Sequence, residues 1–361
     1  MRLPGNWTRL RPLLWPVALF YGALVWWRNF FYQIGFFVTR RVPVPVVSIG
    51  NLTVGGTGKT PAVIFLARHL RLLGYRPGIV SRGYGRHTRG TVLVSDGRKL
   101  QATVGAAGDE AFLLASRLPE VPVVVDEDRY RGASLLSAEH DVDVLLLDDG
   151  FQHRGLARNC DLLLMDAAAP ARDYRMFPYG TLRERLSAVQ RAVLVVWTRT
   201  EYFSPDAALR QKLAAYPAPQ IDSRMEAATL LQAVGGGVDQ TSAELAGRPI
   251  LAFCGIGRPQ SFYQKLLELG LEPQWVRYFP DHHAYTRADL EILADLAAPP
   301  ETVLITTEKD AVKLPGDFLA GHEVYSLKIE FTISGADLKK LDEVLLGCLP
   351  IPRSTAPAGE A

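Results

Sequence analysis

From residue 44 onward the chain alternates short apolar runs with longer stretches in which apolar residues recur every three or four positions. Residues 44–51 form a nearly continuous apolar run, the pattern of a strand buried on both faces. Val63, Leu66, Ala67, Leu70 and Leu73 then follow a 3.6-residue period, which Gly74 ends. Runs at 76–81, 91–95, 121–125, 142–147, 160–165 and 193–197 predict further short strands. Short apolar strands alternating with helices predict an α/β fold, a mainly parallel sheet with helices on both faces. Such sheets place ligands outside the carboxyl ends of their strands, so chemistry is expected just after each run.

The alternation pauses at Gly235-Gly236-Gly237, a turn or linker signal. A second, smaller α/β pattern follows, with strands at 249–254, 275–279, 302–306 and 324–329 and a helix near 260–269. The expected organisation is an N-terminal segment over 1–41, a core over 42–235, a smaller α/β domain over 236–350 and a disordered tail over 351–361.

The N-terminal segment breaks this rhythm. Residues 13–27 are uncharged and apolar, Arg28-Asn29 interrupts them, and a second aromatic run at 30–38 ends at Arg40-Arg41. The first run is short for a membrane span, which needs about 20 residues. Residues 13–38 together are long enough but would put Arg28 near mid-membrane, which is costly. Arg2, Arg9 and Arg11 resemble the charged start of a signal peptide, but no small-x-small cleavage site follows. Four of the six tryptophans fall in the first 27 residues. The segment is read as an uncleaved helix lying in, or dipping into, the cytoplasmic face of a membrane, with Trp and Tyr at headgroup level.

Charge supports that reading. The net charge is only +2, yet no Asp or Glu precedes Asp96 while thirteen Lys and Arg do. A basic, acid-free first quarter points to an anionic partner. Its first 40 residues are too apolar and aromatic for nucleic acid, so a membrane surface is expected and nucleic acid is not. No stable protein partner is expected either. Cys160, Cys254 and Cys348 lie far apart without a C-x-x-C pair, which fits a reducing cytosol and speaks against a disulfide framework or a zinc site.

The most specific motif follows the first strand: Thr53-Val54-Gly55-Gly56-Thr57-Gly58-Lys59-Thr60. It is a phosphate-binding loop between a strand and a helix, with Thr53 where the strict pattern has Gly. Small residues let backbone N–H groups curl around phosphate oxygens. Lys59 reaches the outer phosphates and Thr60 is placed to hold Mg²⁺. A nucleoside triphosphate is the expected ligand. The strand at 142–147 ends in Asp148-Asp149, the acidic strand end that faces such a loop and helps hold Mg²⁺, with Gln152-His153 close behind. Gly108-Asp109-Glu110 opens an apolar helix; the carboxylates are either helix-start charges suited to the dipole or a general base and part of the metal site. Tyr84 and Arg82 sit in a Gly-rich turn, and Arg129 in Asp128-Arg129-Tyr130-Arg131. Each arginine is equally well an anion fork or a surface charge. Tyr179 to Glu184 adds the pair Arg183-Glu184. In the second pattern, Asp281-His282-His283 offers an acid/base or orienting His across an interdomain cleft, and Thr306-Thr307-Glu308-Lys309-Asp310 follows a strand that could face the same cleft.

Together these strings resemble the tetraacyldisaccharide 4'-kinase family of lipid A biosynthesis. The matching residues are Gly50-Asn51-Leu52, Gly55 to Pro61, Ser81-Arg82-Gly83-Tyr84, Gly108-Asp109-Glu110, Asp148-Asp149-Gly150-Phe151-Gln152-His153, Gly180 with Leu182-Arg183-Glu184, and Asp281-His282. The resemblance covers nearly the whole chain. It implies a kinase core of the phosphate-loop type and transfer of the ATP γ-phosphate, with Mg²⁺, to the 4'-hydroxyl of a lipid-linked glucosamine disaccharide. The place implied is the cytoplasmic face of the bacterial inner membrane. It also implies Asp109 as base partnered by His282, with Lys59 handling phosphate and Arg129 among the catalytic residues. Thr60, Asp148, Asp149 and Glu110 fall around the metal, and Tyr84, His153, Arg183 and Glu184 on the substrate side. A membrane-positioned regulatory ATPase of the partitioning type shares the loop core. Those proteins carry a Lys just before the paired glycines, where this chain has Val54, and they lack a second domain with an Asp-His pair.

Overall fold

The computed structural model describes residues 7–233, 239–245, 247–299 and 301–352. The glycine turn at 235–237 and the tail beyond 352, both singled out above, lie outside the described residues.

Among the described residues thirteen strands form one sheet: β1 (Val46–Asn51), β2 (Pro77–Ser81), β3 (Val92–Asp96), β4 (Pro122–Val125), β5 (Val144–Asp148), β6 (Cys160–Asp166), β7 (Leu194–Thr198), β8 (Gln220–Gln232), β9 (Asp239–Gln240), β10 (Ile250–Cys254), β11 (Trp275–Tyr278), β12 (Val303–Thr307) and β13 (Val324–Ile333). Their spatial order is β11-β10-β12-β13-β8-β7-β6-β1-β5-β2-β4-β3, with β9 beside β8. The apolar runs of the first half become strands whose residues are almost all buried, as expected where helices cover both faces. From β8 to β4 every pairing is parallel, and only β3 at the edge is antiparallel.

One pairing decides the shape of the molecule. β8 starts parallel to β7 at Gln220–Asp222 and then runs on as a 13-residue strand. Its continuation pairs antiparallel with β13, from Ser223↔Ile333 to Gln232↔Tyr325. β10, β11 and β12 are all parallel to β13. The strands of the second half therefore run opposite to those of the first. The carboxyl ends of both halves, where ligands bind, face each other across a cleft.

The sheet is continuous, yet its cores separate. One set of buried residues packs around β1, β5 and the helix Lys59–Leu72, and another around β10, β12 and β13. The last helix, Gly335–Cys348, belongs by packing to the first half: Leu341, Leu345 and Leu349 join the core that holds Val47 and Ile49.

The N-terminal helix, Trp7–Gln33, ends inside the second aromatic run, and Gly35 turns the chain at φ 79°. Trp15, Phe20, Leu24, Trp26, Trp27, Phe36 and Val38 are at least half exposed. Among the described residues no helix is long and apolar enough to cross a membrane.

Candidate functional site

The phosphate loop lies between β1 and the helix Lys59–Leu72. Gly58, which precedes the helix, has φ 84°, so the backbone favours glycine, and a Cβ there would also displace the Met225 methyl, 2.0 Å away. The helix starts with no side-chain cap on its amides, an arrangement that an anion completes. The loop is held from outside. Val54 N donates to Thr181 O at 2.8 Å and Arg183 N to Leu52 O at 2.7 Å. Thr198 Oγ1 donates to Thr57 O at 3.1 Å and Arg199 Nη2 to Gly56 O at 2.7 Å. Lys59 Nζ rests between Asn51 Oδ1 and Asp149 Oδ1, 3.3 Å from each. Thr60 is buried at the first turn.

Asp148 and Asp149 end β5 beside the loop. Ser81 Oγ donates to Asp148 Oδ2 at 2.8 Å. Burial, reinforced by the charges of Glu110 and Asp149, pushes the Asp148 carboxyl up to about 6. Burial pushes Asp149 up too, but Lys59 and Arg183 outweigh it and hold that carboxyl below its ordinary value. Arg183 Nη1 donates to both Asp149 oxygens, at 2.9 and 3.1 Å. Asp149 itself sits at φ 47°, a conformation that few non-glycine residues adopt and that clusters at functional sites.

The second half supplies the opposite wall. His282 Nδ1 lies 2.9 Å from Asp109 Oδ2, a contact between residues 173 apart in sequence. His282 also has a left-handed φ, 58°, and its N–H donates to Gly255 O at the carboxyl end of β10. Burial raises the Asp109 carboxyl, but the His282 hydrogen bond and the charges of His282, Lys309 and Lys313 hold it below the ordinary range. The same hydrogen bond raises His282 against its burial. His283 turns away, with Nε2 2.9 Å from Asp289 Oδ2 and its ring stacked on Phe279. The exposed Tyr84 ring meets the His282 ring edge-on at 5.3 Å. Its turn closes on the Asp109 helix because Gly108 has no Cβ; one there would lie 2.6 Å from Tyr84 O.

Lys309, from the strand end expected to face the cleft, brings its ammonium onto Glu110 in a tight ion pair. Lys309 holds the Glu110 carboxyl down. Burial lowers Lys309, but Glu110 outweighs it and raises the ammonium. Arg117, at the other end of the Asp109 helix, pairs with Glu308 at 2.6 Å and Glu330 at 2.5 Å, so this helix is tied to the second half along its length.

Three expected site residues are placed differently from Asp109 and Lys59. Glu184 is 1% exposed and serves as a hub: Arg28 at 2.9 Å, Arg191 at 2.8 Å and Asn29 at 3.2 Å converge on it. Tyr21 adds a hydrogen bond to Arg183 O. Glu184 thus fastens the N-terminal helix beside Arg183. Arg129 is buried, and its guanidinium donates to the carbonyls of Asp126 and Glu127 rather than reaching Asp148. His153 is half-buried and lowered to about 4 by burial and by Arg129 and Arg158, so it is neutral at pH 7.

Sequence reasoning missed Asn51 and Ser81 as contacts, and it missed Asp166, Arg199 and Arg258. All but Arg258 stand at or just after a strand's carboxyl end in the first half, so the strand-end rule was the signal available.

The donor set beside the loop is Thr60 with carboxylate oxygens, a hard set that suits Mg²⁺. The raised Asp148 carboxyl marks a cluster of negative charge that a cation would relieve. Among the described residues no group of three or more His, Cys, Asp or Glu is arranged to hold a metal alone.

The family model described as Tetraacyldisaccharide-1-P 4'-kinase matches residues 10–349. A tetraacyldisaccharide 4'-kinase of Chlorobaculum parvum is 39% identical over 301 residues, 82% of each chain. One of Desulfatibacillum aliphaticivorans is 38% identical over 343 residues, 93% of this chain and 92% of the relative. The crystal structure of LpxK from Aquifex aeolicus in complex with ATP superposes with a TM-score of 0.78 at 33% identity, over 94% of this chain and all of the other.

Proposed function

The chain belongs to the tetraacyldisaccharide-1-P 4'-kinase family, and from that premise we propose that it transfers the γ-phosphate of ATP to the 4'-hydroxyl of a tetraacylated glucosamine disaccharide 1-phosphate, forming lipid IVA in lipid A biosynthesis. The observation that carries the residue roles is the Asp109–His282 pair, 2.9 Å across a cleft whose other wall is the phosphate loop.

The loop amides and Lys59 bind the triphosphate, and Lys59 leaves Asp149 to follow the transferring group. Asp109 accepts the proton of the sugar hydroxyl. Phosphoryl transfer passes through a loose transition state that asks more for positioning than for a strong base, so a carboxylate held below its ordinary value suffices. His282 fixes Asp109 Oδ2, and the Glu110 N–H fixes Oδ1 at 2.9 Å. That leaves a defined direction for the incoming hydroxyl. Mg²⁺, held by Thr60, Asp148 and Asp149, would neutralise charge building on the phosphate oxygens. Glu110 is engaged by Lys309 and holds the closed arrangement beside that site. Arg183 steadies Asp149 and stands next to the N-terminal helix. Tyr84 and His153 flank the cleft on the side where the sugar would lie, and Arg129 contributes positive charge from beneath it.

The N-terminal helix brings the protein to its lipid. Its exposed Trp15, Phe20, Leu24, Trp26 and Trp27 suit the headgroup boundary of a membrane. Glu184 couples the helix to Arg183, so docking on the bilayer and approach to the 4'-hydroxyl share one fixture. This supports a place at the cytoplasmic face of the inner membrane.

Purified protein given Mg-ATP and the lipid disaccharide 1-phosphate is expected to yield a lipid carrying one more phosphate. ATP turnover that ignores the lipid would instead favour the regulatory ATPase reading.

A further inference from the structure

Behind the phosphate loop stands a charged cluster to which the proposed chemistry gives no role. Asp166, the last residue of β6, is 4% exposed. Its Oδ1 accepts from Ala168 N at 3.0 Å. Its Oδ2 is shared by two arginines, Arg199 Nη1 at 2.7 Å and Arg258 Nη2 at 2.6 Å. The two come from different halves. Arg199 follows β7, and Arg258 precedes the helix Pro259–Glu268 after β10.

Arg199 does more than pair with Asp166. Its second nitrogen, Nη2, donates to the Gly56 carbonyl at 2.7 Å, so one planar guanidinium bridges the carboxylate and the loop. Arg199 itself is at φ 63°, a conformation that persists only where surrounding contacts fix it.

The consequence for the loop follows from peptide geometry. In a trans peptide the carbonyl of one residue and the N–H of the next point in opposite directions. Pinning Gly56 O toward Arg199 therefore aims the Thr57 N–H away from it. Thr198 does the same one peptide later by holding Thr57 O at 3.1 Å, which orients the Gly58 N–H. Gly56 has no side chain to resist a peptide flip, so the external anchor decides which way these donors face.

We propose that Asp166 is a positioning residue for the phosphate loop: by holding Arg199 beneath Gly56 and Arg258 from the second half on one carboxylate oxygen, it ties the orientation of the loop amides to the docking of the two halves. This rests on the reading that a nucleoside triphosphate fills the loop.

The test separates nucleotide binding from lipid use, with trinitrophenyl-ATP as the binding probe. Arg199→Met and Asp166→Asn should each weaken probe binding and raise the ATP KM by about tenfold or more, with the lipid KM within about twofold. Arg199→Lys puts one nitrogen in place of the two that meet Asp166 and Gly56, so it should recover only part of the loss. Arg258→Met should raise the ATP KM less than Arg199→Met, since Arg199 keeps its carboxylate. A folded Arg199→Met protein with an unchanged ATP KM overturns the proposal, as does an equal rise in both KM values or full recovery by Lys. If Asp166→Asn does not fold, Arg199→Met decides, because its side chain lies at the loop's outer edge. Wild-type protein that fails to bind the probe would instead refute triphosphate occupancy, a separate result.

Discussion

The two walls of the cleft are built on different principles. The first-half wall is rigid and redundant: a loop anchored by four hydrogen bonds from outside, at 2.7 to 3.1 Å, and two carboxylates on a strand buried along its length. The second-half wall is sparse. It sends His282, Lys309 and Arg258 across the gap, each to an acidic partner on the other side. The first wall gathers charge, and the second matches it with cations. A site of this kind is complete only when the halves meet, which suits a reaction that must shield a phosphoryl group from water.

The largest effects should come from the first wall. Asp109→Asn keeps the shape and removes the proton acceptor, so transfer should fall by roughly 10²–10⁴-fold while ATP binding stays near the wild-type level. Radiolabelled phosphate transfer and equilibrium ATP binding check both halves of this statement. Near-normal transfer would remove Asp109 as base.

Asp148→Asn tests the charge-gathering idea from the side of stability. The Asp148 carboxyl is raised to about 6 in the folded protein, so its ionised form is disfavoured by folding. Its cost is therefore fully present at neutral pH and falls away as pH drops through about 6 towards the ordinary carboxylate value. A shift of that size corresponds to roughly 2–3 kcal/mol. Asp148→Asn should accordingly be more stable than wild type at pH 7.5, with the gap closing below about pH 4, while kinase activity is lost. Denaturant melts across pH provide the readout; a variant less stable than wild type at neutral pH would show that Asp148 serves structure.

The second wall should give intermediate effects. His282→Gln removes the partner of Asp109 but not the base, and a loss of about 10²-fold in kcat is expected, with the ATP KM little changed. Lys309→Met leaves Glu110 without its cation and should lower kcat by about tenfold, with Lys309→Arg close to wild type. If both substitutions chiefly raised the ATP KM, the second wall would be part of nucleotide binding rather than of closure.

How much of this was legible in sequence differs between the walls for a physical reason. The first wall is made of local motifs: strand, glycine turn, helix start. The loop, Asp148-Asp149 and the strands β1 to β7 could be read from runs and spacing. The second wall depends on β8. Residues 220–232 mix Arg, Glu, Gln and Ala, and the alternate buried positions Ile221, Ser223 and Met225 include a polar serine, so apolar runs pass over this strand, the longest among the described residues. Without β8 and its antiparallel partner β13, nothing shows that two carboxyl edges face each other. Residues alone left Asp109 between helix charge and base, and only the family resemblance joined it to His282. The ion-pair cluster at Glu184 was not legible for a related reason: Arg28 and Asn29, which meet it there, come from a segment read for its lipid-facing residues alone.

The smallest expected effect on chemistry belongs to that segment. Deleting it would uncover Glu184, which is 1% exposed and held by Arg28 and Asn29, so truncation would mix membrane loss with damage beside Arg183. Charging the outer face avoids this. Phe20 is 66% and Trp27 56% exposed, and neither side belongs to the Glu184 cluster. The double substitution Phe20→Glu, Trp27→Glu should reduce binding to anionic vesicles by about tenfold or more, through lost apolar insertion and added repulsion. Turnover of a lipid substrate dispersed in detergent micelles should change by less than about threefold, since the cleft residues are untouched. Unaltered vesicle binding would move the membrane contact elsewhere. A matching collapse in micelles would show that the outer face of the helix shapes the cleft itself.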